Sequence, residues 1–128
     1  MNADELNLLS HQVIGAALEV HRELGAGLLE SVYEQCLAQE LTALGIPFAR
    51  QVELPVRYKG IEIGVGYRVD LLIAKALVVE VKAAECLLPV HSAQLLTYLK
   101  LADCRLGLLL NFNVPAMRDG IRRVANGI

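Results

Sequence analysis

Residues 67–83 have the sequence YRVDLLIAKALVVEVKA, two apolar segments separated by a short break at Lys75. Tyr67 to Ala74 and Leu77 to Ala83 are rich in Val, Leu and Ile, a composition typical of buried β-strands. A connection this short joins neighbouring strands in an antiparallel hairpin. We therefore predict that these two segments lie together inside a sheet.

Charged residues interrupt both apolar strands. The two-residue period of a strand places Val79 and Val81 on one face of the second strand, so Glu80 and Lys82 share the opposite face. The hairpin brings Asp70 of the first strand near Glu80. An ionised side chain inside a sheet costs several kcal/mol unless it is paired or bound to a metal. These charges therefore need partners.

Two converging carboxylates and one ammonium group are suited to metal-assisted hydrolysis of phosphodiester bonds. Carboxylate oxygens hold Mg²⁺ or Mn²⁺, and the bound ion lowers the pKa of a water and neutralises charge on the phosphoryl group. A lysine positions that water or stabilises the transition state. Asp70, Glu80 and Lys82 would fill these roles. The alternative is a partly buried ion pair of Lys82 with Asp70 or Glu80, since structural ion pairs also occur in sheets.

The rest of the chain predicts helices around this sheet. Apolar residues recur every three or four positions from about Asp4 to Leu24 and from Leu29 to Leu44, which indicates a helical hairpin. The remaining predicted elements are a strand at Phe48 to Tyr58, a helix at His91 to Ala102, a buried strand at Arg105 to Phe112 and a short terminal helix at Met117 to Ala125. The predicted order is ααβββαβα, an α/β (α+β) class, in a single domain over residues 1–128.

Composition limits the function. The 128 residues include 12 Lys and Arg, 14 Asp and Glu and 55% hydrophobic residues, which excludes intrinsic disorder and predicts one buried core. The net charge of -2 gives no general attraction for polyanions, so nucleic-acid binding needs metal ions or a local patch such as Arg118, Arg122 and Arg123. A solvated helix face is the alternative for those arginines. The apolar composition favours a homodimer.

Cysteine usage and segment lengths predict a cytoplasmic protein. Cys36, Cys86 and Cys104 form no CxxC pair and are predicted to be reduced core thiols. The acidic N-terminus lacks the basic region of a signal peptide, and no apolar run reaches the length of a membrane span. No GxSxG, P-loop or HExxH motif is present, which excludes those classes of hydrolase and NTPase.

Several ordered motifs resemble one bacterial family. Residues 27–33, GLLESVY, have the pattern GxxExxY, and they are followed by Asp70, by Glu80-Val81-Lys82 and by PVHSAQLLTYL at residues 89–99. Together these motifs closely resemble the GxxExxY protein family, from about Ile14 to Val124. That family is assigned to the PD-(D/E)xK nuclease-like superfamily. The resemblance implies a restriction-endonuclease-like core, a mixed four-stranded sheet flanked by helices.

The resemblance also implies roles for the residues of the predicted hairpin. Asp70 and Glu80 match the metal-binding acids of the superfamily, and the backbone carbonyl of Val81 is a further implied ligand. Lys82 matches the catalytic lysine. Val69 replaces the proline that precedes the first acid in the name of the superfamily, a common substitution.

Residues on the flanking helices have implied roles with structural alternatives. Glu30 matches the first-helix acid of the metal site, but a residue at this position also stabilises a helix N-terminus. Gln94 matches the glutamine that follows the E-x-K strand, and Tyr98 lies one turn beyond it; a solvated helix face is the alternative. His91 is expected to cap its helix or support the site rather than bind metal, and Tyr33 to be a core aromatic with a hydrogen-bonded hydroxyl group beside the site.

These residues predict a metal-dependent nuclease that hydrolyses phosphodiester bonds of DNA or RNA with Mg²⁺ or Mn²⁺. The alternative is a noncatalytic binding or scaffold module that retains the nuclease fold, because a fold alone does not determine a function. The two hypotheses differ in their dependence on Asp70, which only the nuclease requires for metal binding.

Overall fold

The computed structural model describes residues 1–127, a mixed five-stranded sheet with α-helices on both faces. Its helices and strands, in chain order, are α1 (Ala3–Leu24), α2 (Glu30–Ala43), β1 (Phe48–Tyr58), β2 (Ile61–Ile73), β3 (Leu77–Lys82), α3 (Pro89–Ala102), β4 (Leu106–Asn111), a 3₁₀ turn (Met117–Gly120) and β5 (Ile121–Ala125). The strands follow the order β1-β2-β3-β4-β5 across the sheet. Only the β3–β4 pair of this sheet is parallel, and α3 forms its crossover.

The first helix begins and ends at residues suited to those positions. The Asn2 side chain accepts a hydrogen bond from the backbone N–H of Glu5 at 2.8 Å, and the Glu5 carboxylate accepts one from the N–H of Asn2 at 3.4 Å. This reciprocal capping satisfies donors that have no partner inside the helix. Gly25 ends the helix with a φ of 69°, a left-handed backbone conformation that glycine adopts without a Cβ clash.

The C-terminal segment corrects the sequence prediction. A helix was expected at Met117 to Ala125 and four strands in the sheet, but residues 121–125 form a fifth strand antiparallel to β4. The physical reason is that β4 is buried at every position, so its outer backbone groups need a partner strand. Gly120 allows the chain to pass close to the end of β4 before β5 begins, because a Cβ at this position would lie 2.0 Å from the carbonyl oxygen of Asn111.

The two faces of the sheet pack against different helices. Leu77, Val79 and Val81 of β3 belong to the core that includes α1 and α2. Val78 belongs to the smaller core that includes Leu95 of α3. The predicted alternation along β3 is therefore present, and the face of Glu80 and Lys82 is the α3 face.

Strand β2 changes sides at Asp70. Val69 belongs to the core on the α3 face, whereas Leu71, two residues later, belongs to the opposite core. The β2–β3 ladder extends only from Ile73↔Leu77 to Leu71↔Val79. The fold therefore opens a space between two strands at the position of the first predicted acid.

Two predictions, one about the cysteines and one about the C-terminal arginines, are wrong. Cys104 is buried and Cys36 partly buried, but Cys86 is exposed because it lies in the loop between β3 and α3, so it is not a core thiol. Arg122 and Arg123 lie on a strand rather than a helix and point to opposite faces, toward Ser92 and Asn7 respectively. They therefore form no joint basic cluster.

None of the helices within residues 1–127 has the length and hydrophobicity that a membrane span needs.

Candidate active site

The carboxylates of Asp70 and Glu80 meet where β2 and β3 separate. The backbone N–H of Asp70 donates to Glu80 Oε1 at 3.0 Å, and the N–H of Val81 donates to Asp70 Oδ2 at 2.8 Å. The backbone pairing of β2 with β3 ends at Leu71 and Val79. Beyond this point the carboxylate oxygens of Asp70 and Glu80, rather than backbone carbonyls, accept hydrogen bonds from the backbone N–H groups. The N–H and C=O of a strand residue point to the same side, so the Val81 carbonyl also faces this space. We call the space between Asp70, Glu80 and Val81 the acid gap.

The acid gap disfavours two negative charges. Glu80 is only 6% exposed. Burial, followed by the charge of Asp70, raises the pKa of the Glu80 carboxyl from 4.5 to about 8, against the lowering effects of the Asp70 N–H and the Lys82 charge. Glu34 adds a further raising effect. A cation in the gap would favour the ionised form of Glu80.

We expect the stability of the metal-free protein to fall as pH rises from about 4.5 to about 8 because of Glu80. In this range the folded state keeps a proton on Glu80 that the unfolded chain has released, so the contribution is complete at low pH and is lost as pH rises. The Glu80→Gln variant lacks this dependence and is more stable than wild type near pH 8. Urea denaturation in EDTA at several pH values measures it; the same pH slope in both proteins would contradict this assignment.

Lys82 ends β3 on the same face as Glu80 and is partly buried. Its carbonyl accepts a hydrogen bond from the N–H of Phe112 at 2.9 Å, which fixes the backbone at this point. Among residues 1–127, none of the ion pairs includes Lys82. The structure therefore does not contain the Lys82 ion pair that was the alternative to a catalytic role.

Glu30 approaches the same end of β3 from α2. Its Oε1 accepts a hydrogen bond from the backbone N–H of Ala83 at 3.3 Å. Glu30 and Asp70 line one open cleft of about 470 Å³ together with Glu34 and Gln51. The structure therefore places Glu30 beside the acid gap, as expected for a site residue.

A second acid on α2, Glu34, was not predicted from the sequence. It is 6% exposed and accepts hydrogen bonds from Arg50 at 2.8 and 3.0 Å and from Gln51 Nε2 at 2.8 Å. Gln51 Nε2 also reaches Asp70 Oδ1 at 3.4 Å, so Glu34 is connected to the acid gap through Gln51. The available signal was the four-residue spacing of Glu30 and Glu34, which places both acids on one helix face.

The residues predicted on α3 have different positions. Tyr98 is partly buried; burial, followed by the charge of Glu80, raises the pKa of its hydroxyl group. Gln94 is exposed on the preceding turn, and the structure gives it no hydrogen bond to the acids among the described residues. His91 Nδ1 accepts a hydrogen bond from the N–H of Leu88 at 3.0 Å, which is the expected capping role.

Tyr33 lies in the core, not at the acid gap. Its side chain is fully buried, and its ring stacks on Phe112 with centroids 4.6 Å apart. Its hydroxyl group donates to the carbonyl of Gly25 at 2.6 Å and accepts from the N–H of Leu28 at 3.1 Å. Tyr33 is therefore a core aromatic with a hydrogen-bonded hydroxyl group, as expected from the sequence, and it fixes the turn between α1 and α2.

The Tyr33→Phe variant is expected to lower the free energy of unfolding by about 1–3 kcal/mol, because two backbone groups at the turn lose their partner. Urea denaturation measures this change. Tyr58→Phe is the matched control, since Tyr58 is 61% exposed and should tolerate the change. Equal stability of Tyr33→Phe and wild type would show that these hydrogen bonds do not stabilise the turn.

The donor set of the acid gap fits a hard divalent cation. Within residues 1–127, no three Asp, Glu, His or Cys side chains form a preformed cluster for a metal. Mg²⁺ does not require such a cluster, because it retains several waters and is bound through one or two carboxylates. Asp70 and Glu80 supply two carboxylates, and the Val81 carbonyl supplies a further oxygen. The residues therefore fit Mg²⁺ or Mn²⁺.

Comparison with known proteins agrees with this architecture. The model of the PD-(D/E)XK nuclease superfamily matches residues 7–124. The chain is also similar to a protein described as "Crystal structure of SSO0001", with 22% sequence identity and a TM-score of 0.56. That alignment covers 77% of this chain and 50% of the other, so this chain spans half the length of the solved protein, and the likeness shows the fold alone. No curated protein matches the chain.

Proposed function

Because the chain belongs to the PD-(D/E)XK nuclease superfamily, we propose that it hydrolyses phosphodiester bonds of nucleic acid with Mg²⁺ or Mn²⁺ bound at the acid gap. The observation that supports this proposal most is the pair of reciprocal hydrogen bonds between Asp70, Glu80 and Val81. These bonds hold two carboxylates at a break in the sheet ladder.

The proposed ligands are Asp70, Glu80 and the Val81 carbonyl, with Glu30 completing the site from α2. When bound, the metal ion supplies a water of lowered pKa and neutralises charge on the phosphoryl group. Glu34 keeps Gln51 in place, and Gln51 orients Asp70 Oδ1. Glu80 is almost completely shielded from bulk water. The attraction between its carboxylate and a bound cation is therefore stronger than it would be at the surface.

Lys82 and the α3 residues are proposed to act on the substrate. The Lys82 ammonium, on the face of Glu80, positions the attacking water or stabilises the negative charge that develops on the phosphoryl oxygens. Gln94 and Tyr98 lie on α3, which covers the same face, and Gln94 is exposed for contact with the substrate. His91 supports them by fixing the first turn of α3.

We also propose that the chain is a GxxExxY-type member of the superfamily. Each position of the motif has a physical role in the structure. Gly27 adopts a φ of 99°, Glu30 contacts Ala83 beside the acid gap, and Tyr33 fixes the preceding turn. The motif thus connects the turn between α1 and α2 to an acid beside the proposed metal site.

Cleavage of labelled single-stranded DNA, duplex DNA and RNA under single-turnover conditions tests the proposed function. We expect cleavage of at least one substrate in Mg²⁺ or Mn²⁺ and none in EDTA. Activity must follow the protein through the last purification step, which excludes a contaminating nuclease. If no substrate is cut with either metal, the nuclease hypothesis is wrong, and the alternative of a noncatalytic binding module is favoured.

A further inference from the structure

An aromatic pair lies near the acid gap on the α3 face. The ring centroids of Tyr67 on β2 and Tyr98 on α3 are 5.3 Å apart, with the planes tilted by 48°. Tyr67 is 45% exposed, whereas Tyr33 is fully buried. An aromatic ring that is held by a neighbouring ring and open to solvent offers a surface on which a flat group stacks.

Tyr67 also lines a cleft of about 700 Å³ in the β1–β2 hairpin. The register of this hairpin shifts between Pro55 and Arg57, and the cleft lies beside the shift. Pockets that hold small organic ligands have volumes of roughly 300–1,000 Å³. The cleft that Tyr67 helps to line is therefore large enough for a nucleobase and its sugar.

The charges of this cleft favour a base over a phosphate. Arg68, which lines the cleft, is paired with Glu53 at 3.1 Å, and Glu62 faces Arg57 at 4.0 Å. Each carboxylate thus has its own arginine, and no excess positive charge remains to attract a phosphate. Stacking on the Tyr67 ring, rather than attraction of a phosphate, is therefore the contact that the cleft favours.

The cleft lies within reach of the acid gap. Tyr67 precedes Asp70 by three residues, which corresponds to about 10 Å along a strand. Tyr98 packs against the core cluster that includes Val78, two residues before Glu80 on the same face of β3. A nucleotide whose phosphate lies at the acid gap could therefore place a neighbouring base on the tyrosines.

We propose that Tyr67 and Tyr98 form a stacking site for an unpaired nucleobase beside the phosphate that is cleaved, so that the substrate is single-stranded or locally unpaired nucleic acid. This inference rests on the proposed nuclease function and names its substrate class. A base inside a duplex is already stacked and paired, and it reaches such a site only by leaving the duplex.

The chain contains no tryptophan, so a Tyr67→Trp variant has a single indole fluorophore at the proposed site. An Asp70→Asn background in EDTA prevents cleavage and removes one charge that repels the substrate. We expect short oligothymidylate and oligouridylate to quench this fluorescence, and a duplex of the same length to leave it unchanged. Tyr58→Trp in the same background is the matched control, because Tyr58 is exposed on β1 and does not line the cleft.

Fluorescence anisotropy of a labelled oligonucleotide gives the second measurement. Tyr67→Leu is expected to weaken single-strand binding by about tenfold, and Tyr67→Phe to retain it, because stacking needs the ring and not the hydroxyl group. Equal quenching at both tryptophan positions, or wild-type affinity of Tyr67→Leu, would overturn the stacking site. Loss of self-association rather than oligonucleotide binding in Tyr67→Leu would also overturn it and assign the surface to a second copy of the chain.

The inference and the proposed function fail in different ways. Cleavage that depends on Asp70 but shows no preference for single strands would overturn the stacking site and leave the nuclease. Quenching of Tyr67→Trp by single strands, with no metal-dependent cleavage by wild type, would support base binding and overturn the nuclease.

Discussion

Asp70→Asn is expected to reduce metal-dependent cleavage by more than about a hundredfold. Loss of a residue that only supports a metal ligand already costs about 10–100-fold, and Asp70 is proposed to be a ligand itself. The asparagine keeps an oxygen that can accept the 2.8 Å hydrogen bond from Val81, so the fold should be retained. Single-turnover cleavage rates, together with melting temperatures in EDTA, separate loss of activity from loss of folding.

Asp103→Asn is the matched control for this change. Asp103 is exposed at the end of α3, just before β4, so it lies at the opposite end of the β3–β4 pair from Lys82. Its φ of 54° is one that asparagine adopts readily, so the variant should behave as wild type. Wild-type cleavage by Asp70→Asn would remove Asp70 from the site.

Lys82→Ala is expected to lower the cleavage rate by about 10²–10³-fold, the cost typical of removing one group that stabilises developing charge. Unlike Asp70→Asn, it should leave metal binding in place, because the ligands are the carboxylates and the Val81 carbonyl. Cleavage rates and Mn²⁺ titration of the same preparation measure the two properties. Lys100→Ala, which removes an exposed lysine from α3, is the control.

A different pattern would assign Lys82 a structural role. If Lys82→Ala lowers the melting temperature and the cleavage rate together, and if Lys82→Arg restores both, the residue acts by balancing the charge of Glu80. We expect a lowered cleavage rate with little change in melting temperature, because Lys82 forms none of the ion pairs in the described residues.

The central hairpin could be predicted because its information is local. The alternation of Val79, Glu80, Val81 and Lys82 determines which side chains share a face, and a short connection determines the antiparallel pairing with β2. These rules place Asp70 and Glu80 together without knowledge of the rest of the chain. That they bind metal and catalyse hydrolysis stays a prediction.

The elements that were missed depend on contacts between distant residues. Residues 121–125 become a strand because β4 presents an edge to them, which five residues with two arginines do not reveal. The Glu34–Gln51 hydrogen bond joins α2 to β1, at a position where Gln51 adopts a φ of 51° within a strand. A left-handed conformation at a residue other than glycine is uncommon, and no sequence pattern predicts it here.

The most direct test of a metal site at the acid gap is calorimetric titration of Mn²⁺ into wild type, Asp70→Asn and Asp103→Asn under identical conditions. We expect saturable binding by wild type and Asp103→Asn and loss of that binding in Asp70→Asn. Equal Mn²⁺ binding by wild type and Asp70→Asn, or no binding by a folded wild type, would contradict it and leave Asp70 and Glu80 as groups that only connect two strands.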